Sequence, residues 1–433
     1  DSLLSHGLVG SSLKHTTVCA SASYEVASCL PAQTVEIVGF VAAHSLLLSA
    51  LGEDSTPKVT LVLAFDDDVR TFCVHSSARF VAVTLESKKL FVISLVDQDK
   101  TGAAAPDRIS GFKILFSLTA PKKVTTIHWT DDATMIYSDK FGTIFSLAFG
   151  GADVKPLTAE PTVPLGHYSV VTDVALFTGA NNQRYIAVGD RDEKISVSRW
   201  PHAYDIQSYC LGHTQYVTSM CHVSNPALGL DFLASTGGDS ALFAWNFETG
   251  KILSKRLLTT DLQATALYTE LKTLRSALNV TPAQLVYNQA HNLLIISIEF
   301  LEALLIFEPS STESGVHFKF LKQQSLPILP IRLSIDKHSR LWVSGVPTGQ
   351  NTQNTVLVFD VAATGLTANE ALTSAIAVDA AKANLKLAPE AALRSFTVHS
   401  VEENLRKMQS KRGGVAHAGS YKDEPPKKIN KRD

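Results

Sequence analysis

Two dipeptides constrain this chain more than any other feature. Gly166-His167 stands 33 residues ahead of Trp200, and Gly212-His213 stands 32 ahead of Trp245. Inside each interval lies a turn leading into an alternating run, Asp192-Glu-Lys-Ile-Ser-Val-Ser198 and Asp239-Ser-Ala-Leu-Phe-Ala-Trp245. Both read Asp-x-x-apolar-x-apolar-x, which is the period-two pattern of a strand that follows a tight turn. Weaker echoes begin at Glu86 and Asp139 and recur over Glu299–Phe307 and Thr355–Asp360. A strand unit repeated at this interval cannot bury its faces alone and must stack against copies of itself.

The interval matches the roughly 40–45 residues of one WD-repeat blade. The fold expected is therefore all-β, a seven-bladed WD-repeat β-propeller over 14–362. The repeats are degenerate: Trp245-Asn246 replaces Trp-Asp, and Ser198 holds the other tryptophan position. Other short β-rich runs fit the same reading, among them Val35–Val41, Val59–Phe65, Arg79–Leu85, Tyr185–Val188 and Leu285–Ile298. In such blades the Gly-His histidine bonds to the turn aspartate, which orients a group in the next strand. His167 with Asp192 and Ser198, and His213 with Asp239 and Trp245, are thus expected as structural networks, since buried polar groups must be paired.

Three stretches break the repeat. Residues 98–110 read as a polar loop. Leu267, Leu271, Leu274 and Leu278 have helical spacing, so a short amphipathic helix is expected within 260–280. Thr367-Ala-Asn-Glu370 and Ser400-Val-Glu-Glu403 fit the capping box and predict two helices in a C-terminal extension over 363–410. The second carries an apolar stripe of Val401, Leu405 and Met408. Beyond it, 411–433 holds seven basic against three acidic residues and reads as a basic disordered tail, an RNA contact or a solvating or nuclear-import segment.

Composition and motifs narrow the chemistry. The five cysteines include no C-x-x-C pair, which disfavours a disulfide framework and a zinc site. Net charge is −2, so the chain as a whole is no strongly basic nucleic-acid binder. No apolar run approaches the length of a membrane-spanning helix. The sequence lacks a phosphate-binding P-loop, a strand-anchored dinucleotide fingerprint, H-E-x-x-H and G-x-S-x-G. Asp66-Asp67-Asp68 reads as a solvated turn rather than a cation site. No catalytic residue, no metal ligand and no cofactor is expected in this chain.

The densest charged segment is Gly189-Asp190-Arg191-Asp192-Glu193-Lys194-Ile195. With Asp192 given to the blade's network, Asp190, Arg191, Glu193 and Lys194 remain. They read either as a solvated turn or as an ion-pairing surface for a protein partner, where charges fix register and partner choice.

A resemblance favours the second reading. Leu165-Gly-His-Tyr-Ser-Val-Val-Thr-Asp-Val174, Tyr185-Ile-Ala-Val-Gly-Asp-Arg-Asp-Glu-Lys-Ile-Ser-Val-Ser-Arg-Trp-Pro201 and Tyr209-Cys-Leu-Gly-His-Thr-Gln-Tyr-Val217 come in an order that ordinary WD repeats do not share. This segment resembles the WD-repeat, non-catalytic subunit of the tRNA (guanine-N7)-methyltransferase. Ser138-Asp-Lys-Phe-Gly142 and Pro121-Lys-Lys-Val124 extend the likeness one blade earlier. The resemblance implies a subunit that binds a separate, S-adenosylmethionine-dependent catalytic subunit as a heterodimer, holds it active, and acts on tRNA through the complex. It implies a partner surface of Arg191, Glu193 and Lys194, with Asp190, Lys122, Lys123, Asp139 and Lys140 beside them. Many relatives carry a basic residue where this chain has Ser196, so Arg199 is the expected substitute. Localisation is expected in the nucleus, with the cytoplasm as alternative. The competing readings are a scaffold or adaptor, as in a ubiquitin ligase or chromatin complex, and a propeller hydrolase.

Overall fold

A computed structural model describes residues 16–25, 34–42, 45–51, 57–75, 80–96, 111–130, 134–150, 155–156, 160–167, 169–263, 280–312, 315–336, 338–347 and 355–382. These form an all-β propeller of the WD40 type, built from consecutive antiparallel sheets whose strands pair in chain order. Among the described residues there are seven such sheets. The fourth contains Val171–Thr178, Arg184–Asp190, Lys194–Arg199 and Ile206–Leu211. The fifth contains Val217–Asn225, Leu230–Gly237, Ala241–Asn246 and Lys251–Leu257. The third carries a fifth strand, because Lys155–Pro156 and Thr162–Gly166 both pair with Thr143–Gly150.

The core lies between the sheets. Middle strands such as Leu293–Ile298 are buried at every position because both faces meet a neighbouring blade. Among the described residues, six apolar clusters join each sheet to the next from the first to the seventh. Between the fourth and fifth, Ala187, Ile195 and Val197 meet Leu233, Phe243 and Trp245. Trp245 is fully buried and stacks on Phe243 at 4.8 Å between ring centroids. Truncating such an aromatic to alanine costs about 3–5 kcal/mol, from lost transfer energy and the cavity left behind.

Several elements differ from their sequence readings. The apolar run Leu285–Ile298 is two strands, Pro282–Asn288 and Leu293–Ile298, separated by a turn in which Asn292 takes φ 53°. Asn288 Oδ1 accepts from the His291 amide and helps to close that turn. A short helix spans Leu258–Gln263, but the leucines at 267, 271, 274 and 278 that predict the amphipathic helix lie outside the described residues. The C-terminal helix spans Glu370–Lys382, but Thr367 lies in the strand Gly365–Ala368 and does not cap it. Asn369 does, with Oδ1 accepting from the Leu372 amide at 3.0 Å. Leu372 and Ile376 are buried, and the helix lies against Val356–Ala362 and Pro57–Ala64, strands of the seventh and first sheets. The loop at 98–110, the helix expected from Ser400 and the tail over 411–433 fall outside the described residues.

Candidate functional site

The fifth sheet shows the expected histidine network. His213 Nδ1 lies 3.1 Å from Asp239, and its Nε2 lies 2.8 Å from Ser235 Oγ. Trp245 Nε1 donates to the same Oγ at 2.7 Å. Asp239 also accepts from the Thr214 and Ala241 amides. Burial alone would raise the Asp239 carboxyl, but the His213 bond and these amides hold it below its ordinary value. Ser235 is the member that the sequence reading missed. It sits on the second strand, where a serine in a strand carries no distinctive signal.

The fourth sheet corrects the expected network. His167 Nε2 bonds Ser196 Oγ at 2.6 Å, and its Nδ1 lies 3.5 Å from Asp190 rather than beside Asp192. The two turns correspond residue by residue, because Glu193 and Ser240 occupy the left-handed position at φ 75° and 60°. Asp190 therefore corresponds to Gly237. A Cβ at Gly237 would stand 2.7 Å from His213 Nδ1, so any side chain there would occupy the space that Asp239 uses. In the fourth sheet that side chain is a carboxylate, and it takes the histidine itself. Asp190 Oδ1 also accepts from the Asp192 and Lys194 amides at 2.8 and 3.0 Å. Ser198 Oγ is buried with no hydrogen-bond partner among the described residues, so Ser198 does not belong to the network.

The same clamp appears one sheet earlier. Asp139 Oδ1 accepts from the Phe141 and Thr143 amides at 2.9 and 3.0 Å. Asp139 and Asp190 are each only 3% exposed. Their carboxylates close turns, which corrects their expected role as partner-contacting charges. Arg199 is corrected too. It is exposed at the far end of its strand, paired with Tyr185, while Lys194 begins the strand at the turn. Five residues at about 3.3 Å each separate them by roughly 17 Å. Ser196 is buried against His167, so it is not a surface position that needs a substitute.

The remaining charged residues share one face. The turns at 139–142 and 191–193 join second to third strands; each is tied to the connector entering its own sheet, and 139–142 also to the connector entering the next. The Lys140 amide donates to the Lys123 carbonyl, His167 to Gly142, and Arg191 to Val170. Gly142 has φ 91°, and a Cβ there would collide with the His167 and Ser169 carbonyls, so the turn needs glycine. The chain thus carries Lys122, Lys123, Lys140, Arg191, Glu193 and Lys194 around adjoining connections of one rim. Lys194 and Lys140 are exposed. Arg191 is largely covered and lies 3.1 Å from Asp192. Lys123 pairs with Glu86 at 2.6 Å, and Arg70 holds the other Glu86 oxygen at 2.7 Å. Phe141, given no contact role in the sequence reading, is 57% exposed with Lys122 and Lys140 over its ring at 4.9 and 5.4 Å.

Glu193 is electrostatically uncomfortable. Partial burial, then repulsion from Asp192, Asp239 and Asp190, raises its carboxyl above the ordinary range. A cation brought to this turn would relieve that repulsion. Among the described residues no group of three or more histidine, cysteine or acidic side chains could hold a metal ion.

A family model described as "tRNA methyltransferase TRM82 WD40 domain" matches residues 151–356. The chain resembles the WD-repeat, non-catalytic subunit of tRNA (guanine-N7)-methyltransferase. It is 34% identical over 191 residues to the subunit TRM82 of Candida glabrata, covering 42% of this chain and 44% of that one. It is 27% identical over 278 residues to the subunit wdr4 of Danio rerio, covering 64% and 59%. The chain therefore spans 44% and 59% of the length of these two relatives. Solved WD-repeat structures share the fold alone. Saccharomyces cerevisiae Sqt1 gives a TM-score of 0.54 at 13% identity, covering 77% of this chain and 81% of that one. The RRP9 WD40 repeats give 0.54 at 12%, covering 77% and 91%. The TRM82 match includes Arg191, Glu193, Lys194 and Arg199 and begins after Lys122, Lys123, Asp139 and Lys140.

Proposed function

We propose that this chain is the non-catalytic subunit that binds and stabilises the catalytic subunit of a tRNA (guanine-N7)-methyltransferase, and so enables methylation of a guanine in the tRNA variable loop. The supporting observation is the Asp190-clamped turn, which holds Glu193 and Lys194 on the rim within the segment that matches the TRM82 family model. A turn fixed by buried bonds presents its charges at little ordering cost, which favours a specific and electrostatically guided contact. S-adenosylmethionine belongs to the catalytic partner in this reading, and the two chains form a heterodimer that acts in the nucleus. The propeller is one closed ring of seven blades. Closure is supported by Thr16–Glu25 lying beside Ile328–Ile335 and by the helix that touches the first and seventh sheets. The organisation is then a propeller over 14–362, a helical extension over 363–410 and a basic tail over 411–433, which supplies supplementary tRNA contacts. Purifying the catalytic subunit with and without this chain and assaying N7 methylation of tRNA tests the function. Activity that rises and survives longer with this chain agrees with the proposal, and unchanged activity refutes it.

A further inference from the structure

The turns between second and third strands share one backbone pattern in the second to fifth sheets. Each has a residue with left-handed φ, namely Lys88, Gly142, Glu193 and Ser240. The residues just before these are Ser87, Phe141, Asp192 and Asp239. Three are polar, as turn residues commonly are, and the third sheet places a largely exposed phenyl ring there instead. A lone exposed apolar side chain needs no explanation in itself. This one is held in place. The Phe141 amide donates to Asp139 Oδ1 at 2.9 Å, and the Gly142 amide donates to the Asp139 carbonyl at 3.1 Å. A Cβ at Gly142 would stand 2.4 Å from the His167 and Ser169 carbonyl oxygens, so the turn has no room to rearrange. The ring serves no core: among the described residues it belongs to none of the apolar clusters between sheets. Its near neighbours are instead the Lys122 and Lys140 ammonium groups over its face.

We propose that Phe141 is an apolar anchor of the contact with the catalytic methyltransferase subunit, seated in a socket whose border is acidic toward Lys122 and Lys140 and basic toward Glu193; this rests on the function proposed above. The third-sheet turn and the charged fourth-sheet turn belong to one surface, because the connector 166–170 is bonded to both. The His167 amide donates to the Gly142 carbonyl, and the Val170 carbonyl accepts from the Arg191 amide. A fixed aromatic ring with charges at its edge is the anatomy of an energetic centre in a protein–protein contact. The occupant follows from the signs of those charges. Lys122, Lys123 and Lys140 lie on the side of the ring, with Glu86 held between Lys123 and Arg70, while Asp192 and Glu193 stand on the next turn. RNA is a uniform polyanion and would meet those carboxylates as well as the lysines. A base would also have to displace the ammonium groups already over the ring before it could stack there. A folded protein surface can answer both signs and supply the socket.

The test titrates the full chain against the catalytic subunit at low and high salt. It compares the wild type, Phe141→Ala, Phe141→Tyr and Glu193→Lys, with light scattering and tRNA binding of the chain alone. Phe141→Ala is expected to raise Kd about thirtyfold at both salt levels, as loss of a central anchor does. Phe141→Tyr keeps the ring and is expected to stay within about threefold of the wild type. The Glu193→Lys loss is expected to shrink as salt screens the charges. If Phe141→Ala lowers thermal stability, Phe141→Ser, which copies Ser87 of the second-sheet turn, takes its place and must weaken binding likewise. A wild-type Kd retained by the variant without the ring, alongside a weakened Glu193→Lys, overturns the anchor and leaves the functional reading intact. No binding by the wild type overturns the functional reading itself. A wild-type dimer made monomeric by Phe141→Ala assigns the ring to a second copy, and loss of tRNA binding alone assigns it to RNA; either result refutes the proposal.

Discussion

At the residue scale, one glycine-to-aspartate difference reorganises a blade. Where the fifth sheet has Gly237, its histidine turns to Asp239; where the fourth has Asp190, the carboxylate reaches His167 first. Sequence alignment of the two turns assigns the network to Asp192, because the repeat pattern counts positions and not the space left beside a glycine. Asp190→Ala removes a buried acceptor from two amides and is expected to destabilise folding by about 2–3 kcal/mol. Asp192→Ala, at a partly exposed site, is expected to cost less than about 1 kcal/mol. Chemical denaturation of both variants distinguishes these roles, and equal losses would contradict the clamp. Ser198→Ala removes a buried hydroxyl without a partner and should be neutral or slightly stabilising in the same assay. Glu193 gives a pH test. Its folded carboxyl is raised, so the stability tied to its protonated form is present below the unfolded value and is lost as pH rises through the folded one. Glu193→Gln should therefore flatten this loss and slightly raise Tm at neutral pH; a lower Tm there would show the carboxylate to be stabilising.

At the scale of elements, the strands were legible wherever period two and a turn residue coincide. The repeat around Gly166-His167 and Gly212-His213 located the fourth and fifth sheets from sequence, and the Asp190–Ile195 segment located the candidate contact. Three things were not legible. Leu285–Ile298 reads as one run because Gln289–Asn292 includes no glycine or proline, and Asn292 supplies the positive φ instead. Exposure on an outer strand was hidden as well, since Tyr209, Leu211 and Ile252 look like core residues, yet they lie on the last strands of their sheets and are exposed among the described residues. The helix start was missed by two residues because Thr367 and Asn369 are both cap formers, and Thr367 is already committed to pairing with Asp360. His213→Ala should cost about 2–3 kcal/mol, because it removes the imidazole from Asp239 and leaves Ser235 with only the Trp245 indole. Thermal unfolding within the wild-type range would show that this network contributes nothing to stability.

At the scale of the whole molecule, a propeller must join its first and last blades or leave two open flanks. The helix Glu370–Lys382 lies across that junction, burying Leu372 and Ile376, while Thr373 Oγ1 accepts from the Val358 amide. Leu372→Ala is expected to destabilise by about 2–4 kcal/mol through lost burial and the cavity created. A loss confined to local fraying, with the global transition unchanged, would deny the helix a part in closure. On the function proposed above, a propeller serves the reaction by presenting a fixed surface and leaving the chemistry to the chain it holds. That role is measured most directly by the affinity between this chain and the tRNA (guanine-N7)-methyltransferase catalytic subunit, for the wild type and for the double variant Glu193→Lys, Lys194→Glu. Tight binding is expected of the wild type, with a loss of about tenfold or more in the variant and a Tm shifted by no more than about 2 °C, since surface charges, even partly covered ones, contribute little to folding. Equal affinity for both chains, or a variant that no longer folds, would contradict a docking role for this turn.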